Sequence, residues 1–332
     1  MRLCARLLLI LCAAQTPKPA VQPAAPQPTP QAPPDTEIYL LPMKIADGAI
    51  TLGAPANITN NPGYDNQPFF TADSRSVLFT SARSPAAPAA DSAPPAGSGT
   101  QTDIYQYDIS TAQTTQITNT PESEYSPAIT PAGGLSVVRV ELDTGKTQRL
   151  WQFTPDGRDP RVVLPNAKPV GYYAWSDDHT VALFILGGAG APATLQLADT
   201  RTGEAKLIAT DIGRSIQRMP GTAEARHISF VQRERAGNST SWTVKELDPA
   251  TGTVTLLAPA IDADKTDLDT AWAPDGTLLA ARLGKLYAWR RGQSGWKEVA
   301  SFEQMGLSGV TRLAVSPRGN WLAVVAPPQT SR

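Results

Sequence analysis

Short apolar runs recur in pairs along the chain, and each pair is parted by a few turn-forming residues. Residues 270–289, "TAWAPDGTLLAARLGKLYAW", show the unit: one run ends at Trp272, Pro-Asp-Gly makes a turn, and a second run follows. Comparable stretches follow Phe70 ("FTADSRSVLFTS"), Ile129 ("ITPAGGLSVVRV"), Trp175 ("WSDDHTVALFI") and Val315 ("VSPRGNWLAVV"), with a weaker copy at Met219 ("MPGTAEARHISFV"). The runs are strand-length, and Val77, Val137, Val181, Leu278 and Leu322 stand at the start of the second runs, which predicts β-hairpins. Asp275-Gly276 and Gly133-Gly134 supply the backbone freedom that tight turns need. Helical periodicity is almost absent, which argues against an α/β enzyme.

A second hairpin type lies between these copies. It begins at Glu37, Asp103, Gln148, Thr194, Ser241 and Lys285, as in "DIYQYDISTAQTTQIT" and "TLQLADTRTGEAKLIA". The two types alternate strictly, so four strands recur about every 45 residues, the length of a propeller blade. The sequence therefore predicts an all-β fold, a six-bladed β-propeller of four-stranded antiparallel blades over residues 37–326. The pattern opens with a hairpin of the second type and closes with one of the first. N- and C-terminal half-blades are thus expected to join in one sheet and remove two open edges.

Composition adds the flanks. Arg2 and Arg6 border the short apolar run "LLLILCAA", which reads as a signal peptide over residues 1–14, too short for a permanent membrane span. Release after Ala14 competes with lipidation at Cys12, where Leu11 occupies the place of the expected small residue. Residues 15–36 are Pro/Ala-rich and predict an extended tether. Residues 84–99, "SPAAPAADSAPPAGSG", predict a disordered insertion, and residues 327–332 a short tail. Both cysteines of the chain, Cys4 and Cys12, lie in the leader, which leaves no disulfide, thiolate nucleophile or Cys-ligated zinc beyond it. A net charge of −1 over 332 residues gives no electrostatic reason to expect nucleic acid as a partner.

The hairpins resemble the TolB-type propeller repeat, a WD-like repeat of bacterial envelope proteins. The match is carried by "DIYQYDIST", "QITNTPESEYSPAITPAGG", "AWAPDG" and "AVSPRGNWLAVV". The resemblance implies six blades and a protein-interaction role in the periplasm. Together with the leader, the expectation is a periplasmic or secreted protein, lipid-anchored if Cys12 is acylated, that binds a peptide or protein of the cell envelope. It departs from TolB itself in having only the leader and tether before Glu37, in place of an α/β domain, so a Tol–Pal role does not transfer. A monomer without a transmembrane helix in the mature chain is expected.

Candidate chemistry is sparse. His179 occupies a turn and His227 borders a strand, and with only two histidines a His-rich metal site is excluded. Neither lies near a nucleophile-elbow sequence, so no catalytic residue is assigned. Asn57-Ile58-Thr59 and Asn238-Ser239-Thr240 match the glycosylation pattern by chance, and the seven tryptophans suit packing between blades. The segments opening each blade's first strand should converge on the tunnel mouth. They bring Asp65, Asn66, Glu124, Tyr125, Tyr172, Arg214, Gln217, Asp267, Asp269 and Arg312 together. The expected role is a non-catalytic scaffold with no cofactor. The alternative is a metal-dependent hydrolase or lyase that uses those carboxylates with calcium, a cation that prefers oxygen ligands. The two arginines suit a carboxylate-bearing partner at least as well.

Overall fold

Each apolar pair does form the inner half of a four-stranded antiparallel sheet, and six such sheets make up a propeller. The computed structural model describes residues 34–46, 48–83, 101–188, 190–221, 226–236, 239–261 and 268–329. The expected signal peptide with Cys12, nearly all of the tether, the insertion at 84–99, Asp267 and the end of the tail lie outside them.

Blades 1 to 5 follow chain order. Their first, innermost strands are Asp65–Phe70, Ser123–Ile129, Val170–Trp175, Ile212–Arg218 and Asp269–Trp272. Blade 6 combines the two ends: Arg312–Val315 and Trp321–Ala326 pair with Glu37–Ala46, which pairs in turn with Ala49–Leu52. The closing ladder runs from Glu37 opposite Ala326 to Pro42 opposite Trp321. Half-blade closure is thus as the alternation of hairpins predicts. A detail absent from that reading is a short strand, Ala56–Asn57, which pairs with Tyr39 and Leu40 and covers the first half of the long strand. Among the described residues the only helical turn is Glu303–Met305, and no helix is long and apolar enough to cross a membrane.

The second strand of each blade is sandwiched, so successive side chains serve opposite neighbours. In blade 6, Leu322, Val324 and Ala326 pack towards blade 5, whereas Ala323 and Val325 pack towards blade 1. In blade 3, Val181, Leu183 and Ile185 join blade 2, and Ala182 and Phe184 join blade 4. Among the described residues each of the six blade junctions holds one apolar cluster. The core is therefore a ring of interfaces.

Inner-strand tryptophans add polar stitches. Trp175 of blade 3 donates its indole N–H to Ser136 Oγ of blade 2 at 3.1 Å, and Trp272 of blade 5 donates to Ser229 Oγ of blade 4 at 2.8 Å. Ser136 is fully buried and also accepts from Tyr173 Oη at 2.9 Å. Ser136→Ala would leave the Trp175 donor unpaired. A buried donor without a partner costs about 1–3 kcal/mol. We expect a lower urea midpoint with an unchanged slope in equilibrium denaturation; a wild-type midpoint would refute the stitch.

Candidate functional site

The innermost strands of all six blades line one central cavity of about 300 Å³. Their geometry is not plain extended chain. Four of the six carry register shifts, between Asn66 and Phe69, Tyr125 and Ala128, Val170 and Tyr172, and Ile212 and Ile216. Such bulges re-aim side chains. Gln67 and Ser126 stand in two of them with left-handed φ of 58° and 53°, each immediately before a proline. The Ser126 N–H then donates to Gln67 Oε1 at 2.8 Å, which ties blade 2 to blade 1.

Two arginines cross between blades. Arg214, on blade 4, passes blade 5 and donates from Nη2 to the Thr311 carbonyl at 2.7 Å, just before the inner strand of blade 6. Arg312, on blade 6, donates from Nη2 to Tyr172 Oη on blade 3 at 2.8 Å, and its guanidinium lies 5.0 Å from the centre of that ring. Burial works against the Arg312 charge, but Tyr172 and Asp269 outweigh it and hold its pKa above the ordinary value. Tyr64 completes the group. Burial raises its phenol pKa, and it feels the charges of Arg312 and Arg214. Its ring meets Tyr125 edge-on with centroids 6.3 Å apart.

Of the residues expected at the mouth, Tyr172, Arg214, Gln217, Asp269 and Arg312 line the cavity, and Tyr125 sits beside it against Tyr64. Gln217 donates to the Thr270 carbonyl at 2.9 Å, and Asp269 Oδ2 accepts the Leu313 N–H at 2.7 Å. Asp267 lies outside the described residues. Asp65, Asn66 and Glu124 are turned away from the cavity, into blade junctions. Asp65 pairs with Arg83 at 3.1 Å, and Asn66 Oδ1 accepts the Gln67 N–H at 2.8 Å. Glu124 lies 3.3 Å from Arg139 Nε and accepts from the Thr120 hydroxyl. The physical reason is register: Glu124 stands directly opposite Arg139, and Asp65 opposite Ser81, two residues before Arg83. Second strands that finish near an arginine are the sequence signal for this placement.

Tyr64, Gln67, Ser126 and Arg218 belong to the site and were not singled out from the sequence. The dipeptides Gln67-Pro68 and Ser126-Pro127 mark the bulges that bring two of them in. Among the described residues no three His, Cys, Asp or Glu side chains form a metal-binding group. His179 is exposed in its turn, and His227 pairs through Nδ1 with Glu246 at 2.6 Å.

No protein-family model and no curated protein sequence matches the chain. Solved structures do. A structure provisionally assigned as TolB from Agrobacterium tumefaciens shares 12% identity, covering 89% of this chain and 99% of that one, with a TM-score of 0.59. TolB from Acinetobacter baumannii shares 16% identity over 90% of this chain and 65% of its own, with a TM-score of 0.50. A chain of a nidogen/laminin complex shares 12% identity over 89% of this chain and all of its own, with a TM-score of 0.54. The chain thus has the six-bladed propeller fold of these TolB structures.

Proposed function

We propose that this chain is an exported, non-catalytic scaffold of the cell envelope that binds a peptide or protein segment in the mouth of its central cavity. One observation carries the reading: tyrosines and arginines line the cavity, with Arg214 and Arg312 bonded to a carbonyl and a phenol and to no acid among the described residues, while the acids a catalytic centre would need are committed to the protein. Asp65 is tied to Arg83, Glu124 to Arg139 and Thr120, and Asp269 to the Leu313 N–H. A metal-dependent hydrolase or lyase built on them would have to break those contacts first, so the scaffold is the better supported reading. Aromatic and arginine side chains are also the types that most often anchor protein partners. Export follows from the leader "MRLCARLLLILCAA".

Photocrosslinking tests the location of binding. A photoreactive residue at Gln217, in the cavity, should capture a discrete envelope partner, and one at Lys206, on the outer strand of blade 3, should not. Arg218→Trp, at an exposed position of the cavity lining, should obstruct the cavity and abolish capture from position 217 while the far-UV spectrum stays unchanged. Capture from both positions alike, or capture from position 217 that survives Arg218→Trp, would refute the reading. Mass spectrometry of the mature N-terminus decides between release after Ala14 and lipidation at Cys12.

A further inference from the structure

The cavity wall is strongly unbalanced in charge. Arg214, Arg218 and Arg312 line it, against Asp269 as the single lining acid among the described residues. None of the three arginines has a carboxylate within salt-bridge distance among the described residues, although Asp269 is near enough to act on Arg312 through its charge. Polar capacity is left over as well. Nε of Arg214, Nε of Arg312 and Oγ of Ser126 are buried and have no hydrogen-bond partner. All three belong to residues of this one cavity, on blades 4, 6 and 2. Buried donors are ordinarily paired, and each unpaired one costs free energy. Three donors from three blades, two of them cationic, describe a receptor for an anionic oxygen group.

We propose that the cavity holds a carboxylate carried by an extended peptide segment, with Arg214 and Arg312 as its charged donors and Ser126 as a neutral one. The wall favours a carboxylate over a fully charged phosphate. Asp269 cancels part of the positive charge, and Tyr172 offers an aromatic face beside Arg312 for the rest of the peptide. Guanidinium groups are well matched to the planar two-oxygen geometry of a carboxylate. The idea rests on the cavity being the binding site, and it adds the chemistry that the site selects.

The test is calorimetric titration of the folded full chain with short blocked peptides. Acetyl-Ala-Asp-Ala-amide is compared with its Asn counterpart, and acetyl-Ala-Ala-Ala with its C-terminal amide, to separate a side-chain acid from a chain terminus. Inorganic phosphate is the control. At least one acid peptide should bind about tenfold or more tightly than its uncharged twin, weaken with added salt, and lose that preference in Arg214→Gln and Arg312→Gln. Arg214→Gln removes only the bond to the Thr311 carbonyl, so it keeps the test open should Arg312→Gln fail to fold. Ser126→Ala should weaken the acid peptide by a smaller factor. Equal binding of acid and neutral peptides, undiminished preference in Arg214→Gln, or phosphate binding as tightly as the acid peptides would overturn the proposal. A partner that crosslinks from Gln217 in wild type and both arginine variants alike would overturn the carboxylate chemistry and leave the scaffold standing. Failure of that crosslink in wild type would remove the scaffold itself.

Discussion

A chain ending at Gly309 is expected to lose its cooperative unfolding transition altogether. The truncation removes Arg312–Val315 and Trp321–Ala326, the two inner strands of blade 6. The strand Glu37–Ala46 would lose the partner it holds from Glu37 to Pro42 and become an open edge. Packing is lost on both sides at once, because Leu322 and Val324 support blade 5 while Val325 supports blade 1. Burying a Val or Leu side chain contributes roughly 1.5–3 kcal/mol. Leu313, Leu322, Val324 and Val325 together therefore approach the total stability of an ordinary domain, about 5–15 kcal/mol. Every remaining junction depends on a closed ring, so the loss should not stay local. The measurement is urea denaturation followed by tryptophan fluorescence and circular dichroism. A truncated protein with one sharp transition near the wild-type midpoint would show that closure contributes little.

The ring was readable because its signals are repeated and local. Trp272-Ala-Pro-Asp-Gly and Val315-Ser-Pro-Arg-Gly each mark a turn, the alternation of hairpin types counts the blades, and the unmatched types at the two ends reveal the closure. The cavity was only half readable. Strand alternation predicts which residues face one side, but bulges at Gln67 and Ser126 break the period of two. Asp65 and Glu124 were drawn to the mouth by their position in the chain, whereas their side chains follow Arg83 and Arg139 into the junctions. Arg214 and Arg312 were found because a residue opening an inner strand sits near the mouth whatever its rotamer. Their crossing to Thr311 and Tyr172 depends on neighbours 97 and 140 residues away, which no local pattern encodes.

Glu124→Gln is expected to flatten the decline of stability with rising pH. Glu124 is fully buried, and burial pushes its pKa from 4.5 up to about 8. The Thr120 hydroxyl opposes that rise, the nearby Asp103 charge adds to it, and Arg139 opposes it. Asp103 is itself raised by burial, and its carboxylate accepts a hydrogen bond from Glu124. The pair therefore shares a proton in the folded protein near neutral pH. A folded pKa above the unfolded one means that the folded state holds a proton the unfolded chain has released. The stabilisation is complete below the unfolded value near 4.5 and is lost as pH rises through about 8. One such proton sets a slope of at most about 1.4 kcal/mol per pH unit. Glutamine carries an N–H donor for Asp103 at every pH, so the variant should keep the junction yet lose this proton's share of the slope. Urea midpoints measured from pH 5 to pH 8 should fall steeply in wild type and less steeply in the variant, with the curves approaching or crossing at the alkaline end. Were Glu124 instead ionised throughout and held by Arg139, the variant would be weaker by a constant amount and the two curves would run parallel. Parallel curves would thus refute the shared proton and assign the junction to an ordinary ion pair.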